Sequence, residues 1–163
     1  LGVVEVDQAA IHGLSGLPGV VISDEPHREE HSIEVQVPFM QMLLPEFTLV
    51  PLVVGDVGPE AVLALLEHFQ DDPRTLIVVS SDLSHYLSYR QACQVDEHTS
   101  QAIVRLLPDA IGDRMACGSI PIRGLLQFAR KKGWRVELLD YRNSGDTAES
   151  RERVVGYGAY LFH

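Results

Sequence analysis

Residues 48–79 read TLVPLVVGDVGPEAVLALLEHFQDDPRTLIVV, and this stretch sets the expectation for the fold. Residues 48–54 form an apolar, β-branched run closed by Gly55, the pattern of a buried strand. Across residues 59–69, Ala61, Val62, Leu65, Leu66 and Phe69 fall at helical spacing, and Pro59 suits a first-turn position. Residues 75–79 return to a β-branched run and predict a second strand. Strand, helix, strand is the repeating unit of three-layer α/β folds, so a central, mostly parallel or mixed β-sheet flanked by helices is expected.

The alternation continues outward. Residues 19–22 predict a short strand. Residues 89–107 predict a long helix with Ala92, Val95, Thr99, Ala102, Ile103 and Leu106 on one side. Residues 121–132 predict another helix, ended by Gly133, and residues 135–141 and 153–162 predict strands. Residues 31–44 fit two periods: Ile33, Val35, Val37 and Phe39 alternate as in a strand, whereas Ile33, Val37, Met40 and Leu44 share a helical face. Glu29 and Glu30 favour a helix start, so a helix is expected over residues 31–44, with a kink at Pro38. Residues 143–152 are small and charged, and predict a mobile loop.

Composition narrows the function classes. At 163 residues, one domain with a real core is expected. The formal charge is −10, from 23 acids and 13 bases, which argues against a nucleic-acid surface. The one basic cluster, Arg130-Lys131-Lys132, falls at a predicted helix end, where cations suit the helix dipole. No apolar run is long enough to span a membrane, and no signal peptide is visible. Two cysteines make no disulfide framework, so a reducing, cytoplasmic setting is expected. The chain starts at Leu1 and runs straight into an apolar stretch, which predicts that an N-terminal portion precedes it.

Chemistry concentrates in three segments: residues 29–39 (EEHSIEVQVPF), 80–86 (SSDLSHY) and 116–122 (ACGSIPI). Each puts a candidate metal ligand or proton carrier at a break in an apolar run. Asp82 follows the strand expected at 75–79, and sites in open α/β sheets gather at the carboxyl ends of strands. The three-residue step from Asp82 to His85 puts both on one side of a helical turn. Imidazole suits iron, copper or zinc, and thiolate shifts the preference toward Cu(I), Fe(II) and Zn(II). Structural alternatives stand beside these: His31 at a helix start, Asp82 as a helix cap, and Cys117 as a small buried residue. Ser80 and Ser81 lack the surrounding Gly-x-Ser-x-Gly elbow of a nucleophile.

These segments, together with YRNSGD at 141–146 and VVGYGA at 154–159, resemble the Memo protein family, whose bacterial and archaeal members are called AmmeMemoRadiSam system protein B. The resemblance covers the whole chain in order and reads residues 1–163 as a single Memo-like domain, the C-terminal two thirds of the family's. It implies a fold like that of class III extradiol dioxygenases, which are non-haem iron enzymes. It implies that His31 and Cys117 bind a metal, and that Asp82 and His85 line the same cleft as catalytic groups. A further family ligand, in an upstream His-Ala-Gly-Tyr-like motif, has no counterpart in this chain. The implied metal is iron(II), with copper and zinc as alternatives. The implied activity is metal-dependent redox chemistry related to dioxygenases, against a non-catalytic module binding a peptide or small molecule in the cleft. A cysteine in place of the dioxygenase carboxylate changes the electronics of the site and sets ring cleavage apart. The family name also links the protein to Ammecr-type and radical-SAM proteins, and an uncovered sheet edge would favour a homo-oligomer.

Overall fold

The helix that ends at Gly133 organises the core. The computed structural model describes residues 2–70, 72–148 and 150–163. In chain order its elements are β1 (Glu5–Val6), α1 (Gln8–Leu14), α2 (Val37–Leu43), β2 (Thr48–Leu49), α3 (Pro59–His68), β3 (His85–Leu87), α4 (Tyr89–Val104), α5 (Ser119–Lys132), β4 (Val136–Asn143) and β5 (Val154–Phe162). Helix α5 buries Ile122, Leu125, Leu126, Phe128 and Ala129, a stripe at helical spacing wide enough to serve two partners. Leu125 and Phe128 pack with Val62 and Leu66 of α3, and Trp134 closes this side edge-on to Phe128 at 5.3 Å. Ile122 and Leu126 pack with Ala102 and Ile103 of α4, Ile111 and Ala116. The helix ends as its sequence dictates: Gly133 takes a left-handed conformation (φ 67°), and Arg130, Lys131 and Lys132 occupy the last turn.

The close approach of α3 and α5 depends on Gly124. A Cβ there would lie 2.5 Å from Val62 Cβ and 2.9 Å from the Pro59 carbonyl oxygen.

The sheets are small. Strand β5 lies between β3 and β4, antiparallel to both, with Val136 opposite Phe162 and Asn143 opposite Gly156. Strands β1 and β2 form a separate two-stranded parallel pair. The fold is therefore a mixed α/β one, but its described strands make two small sheets in place of the single central sheet expected. Residues 75–79 have no ladder partner among the described residues, although their side chains alternate. Ile77 and Val79 pack on the helical core, while Leu76 is 67% and Val78 49% exposed. The run expected over 48–54 is a strand only at Thr48–Leu49; Pro51 has no N–H to extend the ladder. Residues 19–22 form no strand, and Val21 and Ile22 are exposed. Residues 32–36 form a turn that leads into α2, with Pro38 at its start and no kink. Among the described residues up to Ala61, only Leu14 is buried, so the core belongs to the later part of the chain.

The expected mobile loop begins as an ordered corner. Asn143 and Asp146 form a reciprocal capping box around the turn Ser144–Asp146. The Tyr89 hydroxyl donates to Asp146 Oδ1 at 2.6 Å, and the Arg151 guanidinium stacks over the Tyr89 ring. The remainder of that expectation reaches Glu149, which lies outside the described residues.

Two outcomes follow from this packing. Gly124→Ala is expected to cost about 1–3 kcal/mol by overpacking, read from the denaturant midpoint; helix propensity alone would favour alanine, so a stabilised variant would refute the close-approach role of Gly124. Asp146 supplies the second outcome. The Tyr89 hydroxyl, then the Asn143 amide, hold its carboxyl below the ordinary carboxylate range. Its folded value is thus below its unfolded one, and it contributes stability above the unfolded value (about 3.9) that is lost as pH falls through the depressed folded value. Asp146→Asn is expected to flatten the acid limb of the stability–pH curve measured by urea denaturation.

Candidate metal centre

Asp82 and His85 are held on the edge of β5 by backbone bonds. The Leu83 amide donates to the Gly156 carbonyl, and the Gly156 amide donates to the Ser84 carbonyl, both at 2.9 Å. His85 then pairs with Val155 at the start of β3. Between His85 and Leu87 the register shifts, and Tyr86 takes a left-handed conformation (φ 58°). Such a backbone in a bulky residue costs about 1–3 kcal/mol and persists only where its surroundings fix it. The Arg153 guanidinium over the Tyr86 ring, 4.8 Å from its centroid, is one such contact.

Cys117 arrives from the other side, two residues before α5. The Cys117 amide donates to the Asp82 carbonyl at 3.3 Å, and the Asp82 amide donates back to Cys117 Sγ at 3.2 Å. The Ser81 hydroxyl lies 3.5 Å from the same sulfur and accepts the Gly118 amide at 2.8 Å. Only a glycine fits at 118 in this arrangement, because a Cβ there would sit 2.8 Å from Ser81 Cβ.

The result is a convergence of three donor types. Asp82 Oδ2 and His85 Nε2 are 3.2 Å apart. One ligand atom each from Asp82, His85 and Cys117 lies within 4.8 Å of the others, a spacing compatible with one ion among them. Asp82 and His85 are partly buried and Cys117 is exposed, so the group opens to solvent.

Beside it runs a cleft lined by Val35, Gln36, Phe39, Ser81, Asp82 and Tyr157. Gln36 Nε2 donates to Ser80 Oγ at 3.1 Å, which ties the segment after His31 to the Asp82 loop. The Tyr157 phenol is pushed above the ordinary tyrosine range, first by partial burial and then by the Asp82 charge. It is therefore a hydrogen-bond donor on the cleft wall at neutral pH.

A sequence model of the family described as Memo-like protein matches residues 1–161. The chain belongs to the Memo family. A MEMO1 family protein of Methanosarcina barkeri is 35% identical over 175 aligned positions, covering 99% of this chain and 65% of the relative. One from Archaeoglobus fulgidus is 34% identical, covering 99% of this chain and 66% of the relative. One from Saccharolobus solfataricus is 32% identical, covering 99% and 62%. The chain thus spans just under two thirds of the length of these relatives.

In this Memo chain the residues expected to act together divide into two places. Asp82, His85 and Cys117 form the cluster. His31 stands on the neighbouring segment, its side chain 76% exposed and its Nδ1 2.7 Å from Glu34 Oε1, outside that cluster. Asp82 caps no helix, since the backbone from Asp82 to His85 leads into a strand; the helical turn expected there is replaced by a bulged strand start that still brings the two side chains together. The reading of Cys117 as a buried structural residue fails on its exposure. Tyr157 and Gln36 enter the cleft unannounced by any motif argument, although both lie inside the family-like segments. Among the described residues no helix is long and apolar enough to cross a membrane.

The Tyr157 environment is checked by ultraviolet titration of wild type against Tyr157→Phe. The phenol lost in the variant is expected to titrate above the ordinary value, and Asp82→Asn is expected to bring it partway back.

Proposed function

We propose that this Memo-family chain binds one transition-metal ion through Asp82, His85 and Cys117. Iron(II) is the first choice, with copper or zinc as alternatives. His31 joins as a further ligand from the adjoining segment, and the cleft beside the ion receives a small molecule or peptide. The convergence of a carboxylate, an imidazole and a thiol within 4.8 Å carries this reading. Oxygen, nitrogen and sulfur donors in one cluster suit a borderline or soft divalent metal far better than calcium or magnesium. A bound iron(II) would supply one-electron redox chemistry at the head of the cleft, in keeping with a dioxygenase-related activity. Around it, the chain's own groups have separable tasks. Asp82 Oδ2 and His85 Nε2, 3.2 Å apart, would give up the proton they share when the ion binds, since a ligating imidazole nitrogen and carboxylate oxygen carry none. Tyr157 offers a phenolic donor to the occupant of the cleft, and Phe39 and Val35 offer an apolar wall.

The test is metal content after anaerobic reconstitution with iron(II) and desalting. About one equivalent is expected in the wild type, with large losses in Cys117→Ser and His85→Ala and weaker retention in His31→Ala. Equal iron in wild type and Cys117→Ser would refute the centre, whereas wild-type retention in His31→Ala would remove only that residue from the ligand set. Oxygen uptake by the loaded protein over a panel of small aromatic and thiol substrates then separates an enzyme from a binding module.

A further inference from the structure

Asp96 lies on the buried face of α4 with no exposure at all, the one fully buried carboxylate among the described residues. Charged side chains are almost never buried to this degree without partners. Its Oδ1 accepts the Ser84 amide at 2.9 Å. Its Oδ2 and the Ser84 hydroxyl are both buried and without a hydrogen-bond partner. Burial pushes the carboxyl upward, and the Ser84 amide opposes it. Packing around the carboxylate is tight: a Cβ on Gly156 would collide with it.

The position of this bond matters more than its strength. Ser84 stands between Leu83 and His85, so the Asp96 carboxylate grips the backbone midway between two of the three clustered donors. The same stretch is held by Gly156 of β5 from one side, through the Leu83 amide and the Ser84 carbonyl. Asp96 supplies a further hold from α4, its carboxylate packed against Gly156 and accepting the Ser84 amide. The stretch from Asp82 to His85 thus has few ways to shift: its flanking backbone is pinned to a strand and its middle amide to a buried helix residue.

We propose that Asp96 is a positioning residue for the metal centre, setting the separation of Asp82 and His85 through the Ser84 amide. This rests on the metal-binding reading above. The role needs a hydrogen-bond acceptor at a fixed place, and an asparagine side chain keeps one at the same reach. An alanine removes it. Outer groups that orient ligands typically change metal affinity by about 10–100-fold when lost.

The experiment titrates cobalt(II) into the purified chain and follows the thiolate-to-cobalt charge-transfer band, with thermal melts in parallel. Wild-type protein is expected to show the band at about one equivalent; its absence would refute the metal reading itself, separately from the role of Asp96. Given that band, Asp96→Ala is expected to bind cobalt at least about 10-fold more weakly with an altered spectrum, and Asp96→Asn to stay within about threefold of wild type. A folded Asp96→Ala protein with wild-type affinity and spectrum would overturn the proposal, as would a folded Asp96→Asn protein that binds as poorly as alanine. Should Asp96→Ala fail to fold, Gly156→Ala provides the second variant, since its methyl displaces the carboxylate while leaving Asp96 in the chain. Weakened cobalt binding there supports the positioning role, and wild-type binding overturns it.

Discussion

Two loops separated by 35 residues meet through a reciprocal pair of bonds: the Cys117 amide to the Asp82 carbonyl, and the Asp82 amide to the Cys117 sulfur. The candidate centre depends on this crossing. It sets the thiol at a fixed distance from the carboxylate and, through the Asp82–His85 contact, from the imidazole. It also transmits the position of the core, because Cys117 stands just before α5 and α5 is the helix most completely enclosed by hydrophobic packing. Close contact of α5 with α3 at Gly124 therefore bears on the start of the helix, where tight packing limits how far the thiol can shift.

The second support is polar. Around Ser84 the structure places a buried carboxylate, a buried hydroxyl and a glycine with no room for a side chain. Hydrophobic burial alone would be satisfied by an aliphatic residue at 96, and with less desolvation cost. A polar residue here instead gives directionality, which an aliphatic contact lacks. The candidate centre thus lies between two kinds of constraint, a close-packed helix pair behind Cys117 and a directional hydrogen bond behind Asp82 and His85.

Local pattern was a good guide where an element's identity is set by its own residues. The stripes in 59–69 and 121–132 and the glycine at 133 made α3 and α5 legible, and the runs expected as strands over 135–141 and 153–162 are β4 and β5. It was a poor guide where identity depends on a partner. The run at 75–79 alternates as a strand does, yet a ladder needs a second backbone, and nothing local encodes one. At the site, the motifs around Asp82, His85 and Cys117 named three residues that the fold brings together, although the turn joining the first two is a bulged strand start and no helix. For His31 the segment was legible and the direction of the side chain was not. Asp96 carried a signal of its own, four residues after Ala92 and three before Thr99 on the stripe that α4 buries. A charge on such a stripe marks a position held for something other than packing.

Tyr86 makes the site a place where durability and geometry compete. Its left-handed backbone stores strain at the joint next to His85, and a glycine there would relax it at once. Selection for heat resistance alone would reach that position early, since relieving strain is among the cheapest gains open to a folded chain. The relaxed chain would also lose the ring beneath Arg153 and with it a reason for the bulge to keep its shape. The tyrosine at 86 thus gives up some melting temperature for a fixed backbone path next to the histidine at 85.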